Sequence, residues 1–318
     1  MRILFVTDNR KAASTQLSLS LLEGLVNEPE VVFDAFNRNY SKYDAVIFMG
    51  YDPDIKSARA KNPNIKIGVM DPRPSFKVQP VGADFILAHG VEMEDWYLSF
   101  TPNVFRYYIY PAFIGETLRE HVASDKIILA YHGNKKHLDE MSPRVTDAIS
   151  SLAETVPVEF RVMYDISSLG KWTPKLSDKV ALSLIQWSPE NYDRYIATSD
   201  VGLVPGFTSY ANNGVDYQPA YKITSNPGRI WVFAKYGIPV VADMFPSALQ
   251  VIKDGQDGYV CCSSIAWADR LSRLVSPELR RIMGRSLRKK YELFADVKVM
   301  NKNLLDFLNR LSRPTVLK

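Results

Sequence analysis

The sequence predicts an α/β protein of two Rossmann-like domains in tandem, each built on a parallel sheet. Three observations carry this. Short β-rich apolar runs alternate with amphipathic helical stretches, the pattern of βαβ units. The alternation breaks once, at YYIYPAFIGETLREHVASDK (107–126), which holds neither period, and then restarts. At 318 residues the chain exceeds one typical domain, and 46% hydrophobic with 23% charged residues suits a sizeable core. The expected division is 1–120, 121–295 and a final helical segment, 296–318.

RILFVTD (2–8) is the first strand. The polar loop NRKAAST leads from it into a helix with Leu17, Leu21, Leu22 and Leu25 on one face. AVIFMG (45–50) is a strand followed by a helix near 53–61, and KIGVMD (66–71) and DFILAHG (84–90) continue the series. After the break come KIILAYHG (126–133), a helix over 139–154, and strands VEFRVMYD (158–165), ALSLIQW (181–187) and DVGLVPG (200–206). A helix over 227–236 precedes the strand PVVAD (239–243), and helices near 264–275, 277–294 and 297–311 close the chain. Gly206 to Asn226, rich in Asn, Gly, Tyr and Pro, is the longest irregular stretch, and loops of that length are usually functional. In open parallel sheets ligands bind at the carboxyl ends of strands, which gives weight to Asp8, Gly50 and Asp71.

Composition excludes several classes. A formal net charge of +4 is compatible with an anionic ligand without demanding one. The two cysteines, Cys261 and Cys262, are adjacent and supply neither a disulfide framework nor a zinc site, so a reducing cytoplasm is the expected home. MRILFVTDN lacks the apolar region and cleavage site of a signal peptide, and no window reaches the ~20 apolar residues of a membrane span. The loop DNRKAAST after the first strand has no Gly-x-Gly-x-x-Gly, which argues against a dinucleotide-dependent oxidoreductase.

KITSNPGRIWVFAKYGIPVVAD (222–243) concentrates the chemistry. Asn226 is a strong N-cap, Pro227 suits the first helical position, and Gly237 with Pro239 ends the helix. The first turn then exposes backbone N–H groups beside Lys222, Ser225 and Arg229, a geometry that favours a diphosphate. Ordinary capping with solvated cations accounts for the same residues equally well.

This segment resembles the helix–turn–strand at the donor site of GT-B glycosyltransferases, where a cation opens a helix before Gly-x-Pro-Val-Val. SDVGLVP (199–205) is similar to the strand before the donor loop, VIKDGQDGYVC (251–261) to the I-x-D-G-x-x-G-x-L-V turn, and SPELRRIMGRSLRKKYELF (276–294) to the helix after it. The four motifs lie in family order over 199–294. The N-terminal half shares only its strand pattern and its MRILFVTD start. The resemblance implies a GT-B fold with a donor cleft between the domains and a last helix crossing back to the first. It further implies an acceptor-binding first domain, a donor-binding second domain, and glycosyl transfer from a nucleotide-diphosphate sugar as co-substrate, with no cofactor and no metal. The chain departs from the GT-4-like group by carrying Thr224 and Val232 where its paired glutamates stand, as in a bacterial-type variant. Asp243 or Gln250 is left to take a sugar hydroxyl.

Other candidates follow. Gly133, Lys135, Lys136 and His137 form a cationic βα loop where a diphosphate would lie, although a solvated loop reads the same way. Ile185 and Trp187 mark the loop that holds the nucleobase in this family, with a core Trp an equal alternative. Asp8, Asp71 and His89 are the candidates for a general base, each also readable as a cap or turn residue. DPD (52–54) is read as a helix start with Pro53 in the first turn and not as a metal motif. The basic residues Arg280, Arg281, Arg285, Arg288, Lys289 and Lys290, near Trp267, suit a solvated helix face, with peripheral membrane contact as the alternative. The expected partners are a nucleotide-sugar donor and an acceptor that is a glycan, a lipid-linked saccharide, a protein or a modified nucleic-acid base. A nucleotide-sugar epimerase and a non-catalytic nucleotide-binding or scaffold protein are the rival readings.

Overall fold

A computed structural model describes residues 1–73 and 80–311. The chain forms two units: Met1–Ala112 with Ile223–Asn226 and the chain from Phe294 onward, and Phe113–Lys222 with Pro227–Leu293.

The first unit begins with β1 (Arg2–Val6), α1 (Ala13–Leu22), β2 (Val32–Ala35), β3 (Ala45–Met49) and α2 (Ile55–Lys61). It continues through β4 (Lys66–Met70), β5 (Phe85–Ala88), α3 (Val91–Leu98) and β6 (Val104–Arg106). The strands form one parallel sheet in the order β2-β1-β3-β4-β5-β6. Its central strands are continuous apolar runs, with every residue of β3 buried, as helices on both faces of a parallel sheet require. β2 and β6 escape the sequence reading because they are short, half-exposed edge strands. The helix expected near 53–61 starts at Ile55, so Pro53 precedes it. Asp54 sits at its N-cap without a side-chain capping bond. Asp54 instead pairs with Arg38 at 3.1 Å, and Asp52 accepts from the Thr7 hydroxyl and the Asp8 N–H.

The second unit contains β7 (Ile127–His132), α4 (Lys135–Glu140), α5 (Arg144–Ala153), β8 (Val158–Tyr164), α6 (Ile166–Leu169), β9 (Val180–Gln186) and α7 (Pro189–Asn191). Then come β10 (Val201–Val204), β11 (Ser209–Asn212), β12 (Tyr217–Ala220), α8 (Gly228–Lys235), β13 (Val240–Asp243), α9 (Pro246–Val251), β14 (Gly258–Cys261), α10 (Ser264–Arg273) and α11 (Pro277–Phe294). Its parallel sheet runs β14-β13-β10-β7-β8-β9. Two expectations need correction here. The single helix over 139–154 is two helices, because Pro143 stands between them and Asn134 caps an earlier start by accepting from the Lys136 N–H. The irregular stretch 206–226 holds an antiparallel hairpin, β11–β12, whose four-residue connection 213–216 carries Gly214 at φ +85°.

α8 ends as its sequence predicts. Gly237 has φ +68°, its N–H donates to Ala234 O at 2.9 Å, and the Ile238 N–H donates to Phe233 O at 3.0 Å. That is a Schellman closure, which only a residue tolerant of the left-handed region completes without strain. The turn packs on α11 so closely that a Cβ at Gly284 would lie 1.9 Å from the Gly237 carbonyl oxygen.

The last helix, α12 (Val297–Arg310), belongs to the first unit. Its buried Asn301 donates to Leu21 O at 3.0 Å and accepts from the Tyr107 hydroxyl at 2.6 Å. Phe307 stacks on Phe105 at 5.1 Å and meets Phe85 edge-on at 5.8 Å.

Candidate functional site

Four side chains of the second unit gather around the carboxyl end of β7 and the start of α8. Gly133 follows β7 at φ +144°, and a Cβ there would press on the Tyr131 hydroxyl at 2.8 Å and on Arg229 Cδ at 3.1 Å. A larger residue would close this space. Arg229, in the first turn of α8, lies 5.7 Å from the Tyr131 ring centre and donates through Nη2 to Pro205 O at 2.7 Å. Its Nη1 is buried and makes no hydrogen bond of ordinary geometry among the described residues, although the guanidinium also lies against the Tyr131 hydroxyl. Burial lowers the pKa of this guanidinium, and no described carboxylate forms an ion pair with it. A buried cation with an unused donor is costly unless an anion completes it.

His137 completes the group. It lies in the first turn of α4, so Lys135, Lys136 and His137 form a helix start and not the loop expected. Its ring bonds the Phe207 carbonyl, while Nδ1 has no described partner. Burial, then the charges of Arg229 and Lys222, push its pKa down to about 2, so it is neutral. His132, at the end of β7, is held down to about 3 by burial and by Arg229, and its Nε2 is likewise unpartnered. Lys135 is turned to Asp139, 3.2 Å away along its own helix.

The expected N-cap is also corrected. The cap position of α8 belongs to Pro227, without a side-chain bond, and the Asn226 amide donates to Thr224 O at 3.4 Å. Ser225 and Asn226 fall in Ile223–Asn226, which groups with the first unit, whereas Lys222 and Arg229 stand on the second.

The loop that receives Arg229 and His137 is held from behind by Asp243. This carboxylate is fully buried and accepts from the Gly206 and Phe207 N–H groups at 2.9 and 3.1 Å, from Trp267 Nε1 at 3.2 Å and from Arg144 Nη2 at 2.9 Å. Its lone pairs are spent, so the expectation that it takes a sugar hydroxyl is overturned. Asp243 fixes the backbone whose carbonyls receive Arg229 and His137. Gln250 is exposed on α9. Sequence reasoning missed Arg144, because nothing local connects it to a partner 99 residues away.

The nucleobase candidates divide. Ile185 is buried within β9. Trp187, half-buried just beyond it, donates through Nε1 to the Tyr192 hydroxyl at 3.2 Å, and that hydroxyl lies 3.5 Å from His132 Nδ1. Trp187 is thereby linked to the Arg229 cluster through two rings.

In the first unit, Asp71 and His89 come together at the carboxyl ends of β4 and β5, with His89 Nδ1 3.5 Å from Asp71 Oδ1. Asp71 is buried at φ +51°, and Arg73 Nη2 is 2.7 Å from its other oxygen. Burial, aided by Arg73 and opposed by Asp71, pushes the His89 pKa down to about 4, and its Nε2 has no described partner. Asp8 stands apart, exposed and paired with Arg38 at 2.7 Å. Among the described residues no group of three His, Cys, Asp or Glu side chains gathers to hold a metal ion, and no helix is long and apolar enough to cross a membrane.

No family model and no curated protein matches the chain. Solved structures do. Anabaena HepE, in complex with UDP and glucose, superposes with a TM-score of 0.62 at 12% identity over 97% of this chain and 99% of its own. Sucrose-phosphate synthase from Thermosynechococcus elongatus gives 0.65 at 10% identity over 98% of both chains. The lipopolysaccharide outer core galactosyltransferase WaaB in its apo form gives 0.60 at 15% identity over 97% and 99%. These are similarities of fold at near-complete coverage, and the fold they establish for this chain is GT-B: two units, each a six-stranded parallel sheet covered by helices.

Proposed function

We propose that the protein is a glycosyltransferase that moves a sugar from a nucleotide-diphosphate donor to an acceptor hydroxyl. The observation that carries this reading is the unpartnered donor of buried Arg229, set among His137, His132 and Gly133 at the carboxyl edge of the second sheet. On this reading the diphosphate takes Arg229 Nη1, with Lys222 adding charge. These cations stabilise the leaving nucleoside diphosphate in the role a metal ion has elsewhere. Trp187 offers its ring to the base. UDP is the first nucleotide to test, since HepE was solved with UDP and with UDP-glucose.

The transfer joins the acceptor oxygen to the anomeric carbon as the bond from that carbon to the β-phosphate oxygen breaks. The acceptor proton goes to a general base or to the departing phosphate. Thr224 and Val232 leave the glutamate positions of the GT-4-like group without a carboxylate, so sugar recognition rests on other residues.

Titration calorimetry tests the site. The wild-type protein binds UDP more tightly than UMP, and Arg229→Ala weakens UDP binding by about tenfold to a hundredfold, the worth of a charged hydrogen bond, while UMP affinity changes less. Equal UDP affinity in the variant and the wild type would remove Arg229 from the donor site. Product analysis with UDP-sugar alone distinguishes an epimerase, which converts the sugar without an acceptor.

A further inference from the structure

The β11–β12 hairpin supplies none of the residues assigned above to the diphosphate. Residues 208–221 read TSYANNGVDYQPAY: three tyrosines, three amide side chains (Asn212, Asn213, Gln218) and one charged residue, Asp216. A two-stranded hairpin is marginal on its own, so its ordering needs an anchor. Arg144 supplies one, with Cζ 5.0 Å from both the Phe207 and the Tyr210 ring centres, while Asp243 grips the same guanidinium in a buried bidentate pair.

Strand register does the rest. Tyr210 pairs with Pro219 and Asn212 with Tyr217, which places these four side chains on one face. The Phe207 and Tyr210 rings stack at 6.0 Å and 10°, and the Tyr210 and Tyr217 centroids are 6.0 Å apart. The result is a row of three rings leading from buried Phe207 to Tyr217, which is 53% exposed. Tyr221, 46% exposed, follows directly after β12.

We infer that this face is a docking platform for a neutral glycan, the extended portion of the acceptor; the inference rests on the glycosyl-transfer reading above. Tyrosine presents a flat amphipathic surface at small entropic cost, suited to the C–H face of a sugar ring, and the Asn212 amide on the same face has N–H donors for hydroxyls, its oxygen accepting from the Gly214 N–H. Charge separates this partner from others. Residues 208–221 contain no Lys or Arg to hold the phosphates of a nucleic acid or an anionic lipid. Their one aliphatic side chain larger than alanine, apart from Pro219, is Val215 at the tip, so the apolar centre of a protein–protein interface is missing.

The test uses the full chain against immobilised oligosaccharides, with maltohexaose, cellohexaose and chitohexaose as neutral probes and sulfated and sialylated chains as anionic ones. UDP binding is followed in parallel by calorimetry. Wild type retains at least one neutral probe, Tyr217→Ala loses about fivefold to tenfold of that affinity, Tyr217→Phe keeps most of it, and UDP affinity is the same in all three. Retention of neutral glycan undiminished in a Tyr210→Ala/Tyr217→Ala double variant overturns the platform. So does retention confined to anionic chains or to a polypeptide control, or UDP binding with no glycan retained. Absence of UDP binding in the wild type counts against the donor site instead, and a Tyr217-dependent glycan signal supports the platform in either case.

Discussion

The buried Asp243 carboxylate connects β13 to the loop Pro205–Phe207. Two backbone N–H groups, an indole and a guanidinium converge on it, and the loop it holds receives Arg229 and His137 on its carbonyls. Replacing it by asparagine keeps the shape but leaves Arg144 buried without a counter-charge. The expected cost is about 3–5 kcal/mol, read as a fall in the urea midpoint. A loss under 1 kcal/mol would show that the pair is dispensable to the fold. At this scale the sequence is legible where the signal is local. Arg229 and Gly133 could be singled out because a helix start and a strand end lie beside them. Asp243 could not be assigned, since its partners come from β10, α5 and α10, and only folding brings them to one point.

α8 shows the same division among elements. Its end is readable to within a residue: expected at 236, it falls at Lys235, with Gly237 completing a Schellman closure. Its start falls one residue later than expected, with Pro227 and not Asn226 at the cap position. The apolar strands of both sheets were visible from composition, whereas β2, β6 and the hairpin β11–β12 were not, being short, exposed or Pro-containing. Where α8 meets α11, Gly284 admits the Gly237 carbonyl with no room for a methyl group. Gly284→Ala therefore has to separate the two helices. It lowers stability by about 1–3 kcal/mol despite the better helix propensity of alanine, and the urea midpoint at unchanged slope reports it. A neutral or stabilising result would mean that the helices part without loss.

Across the whole molecule, all four histidines are buried or partly buried and held neutral: His89 and His121 near pKa 4, His132 near 3 and His137 near 2, with desolvation the first cause in each. Unfolded, each takes a proton at about 6.5. The unfolded chain thus binds more protons below that value, so stability is complete above about pH 6.5, falls as the solution is acidified, and loses its dependence on each histidine once that group's folded pKa is passed. A group displaced from 6.5 to about 4 forfeits on the order of 3 kcal/mol over that window. Urea midpoints measured from pH 7 to 4 should decline steadily, and a flat profile would contradict neutral burial. The same burial has a consequence for long-range attraction. The formal charge of +4 counts every histidine as neutral. In the folded protein that count survives mild acidification, because no imidazole gains a proton between about pH 7 and 5. The field that draws an anionic ligand inward is then set by Lys, Arg, Asp and Glu alone, and ionic strength, not proton concentration, becomes its control.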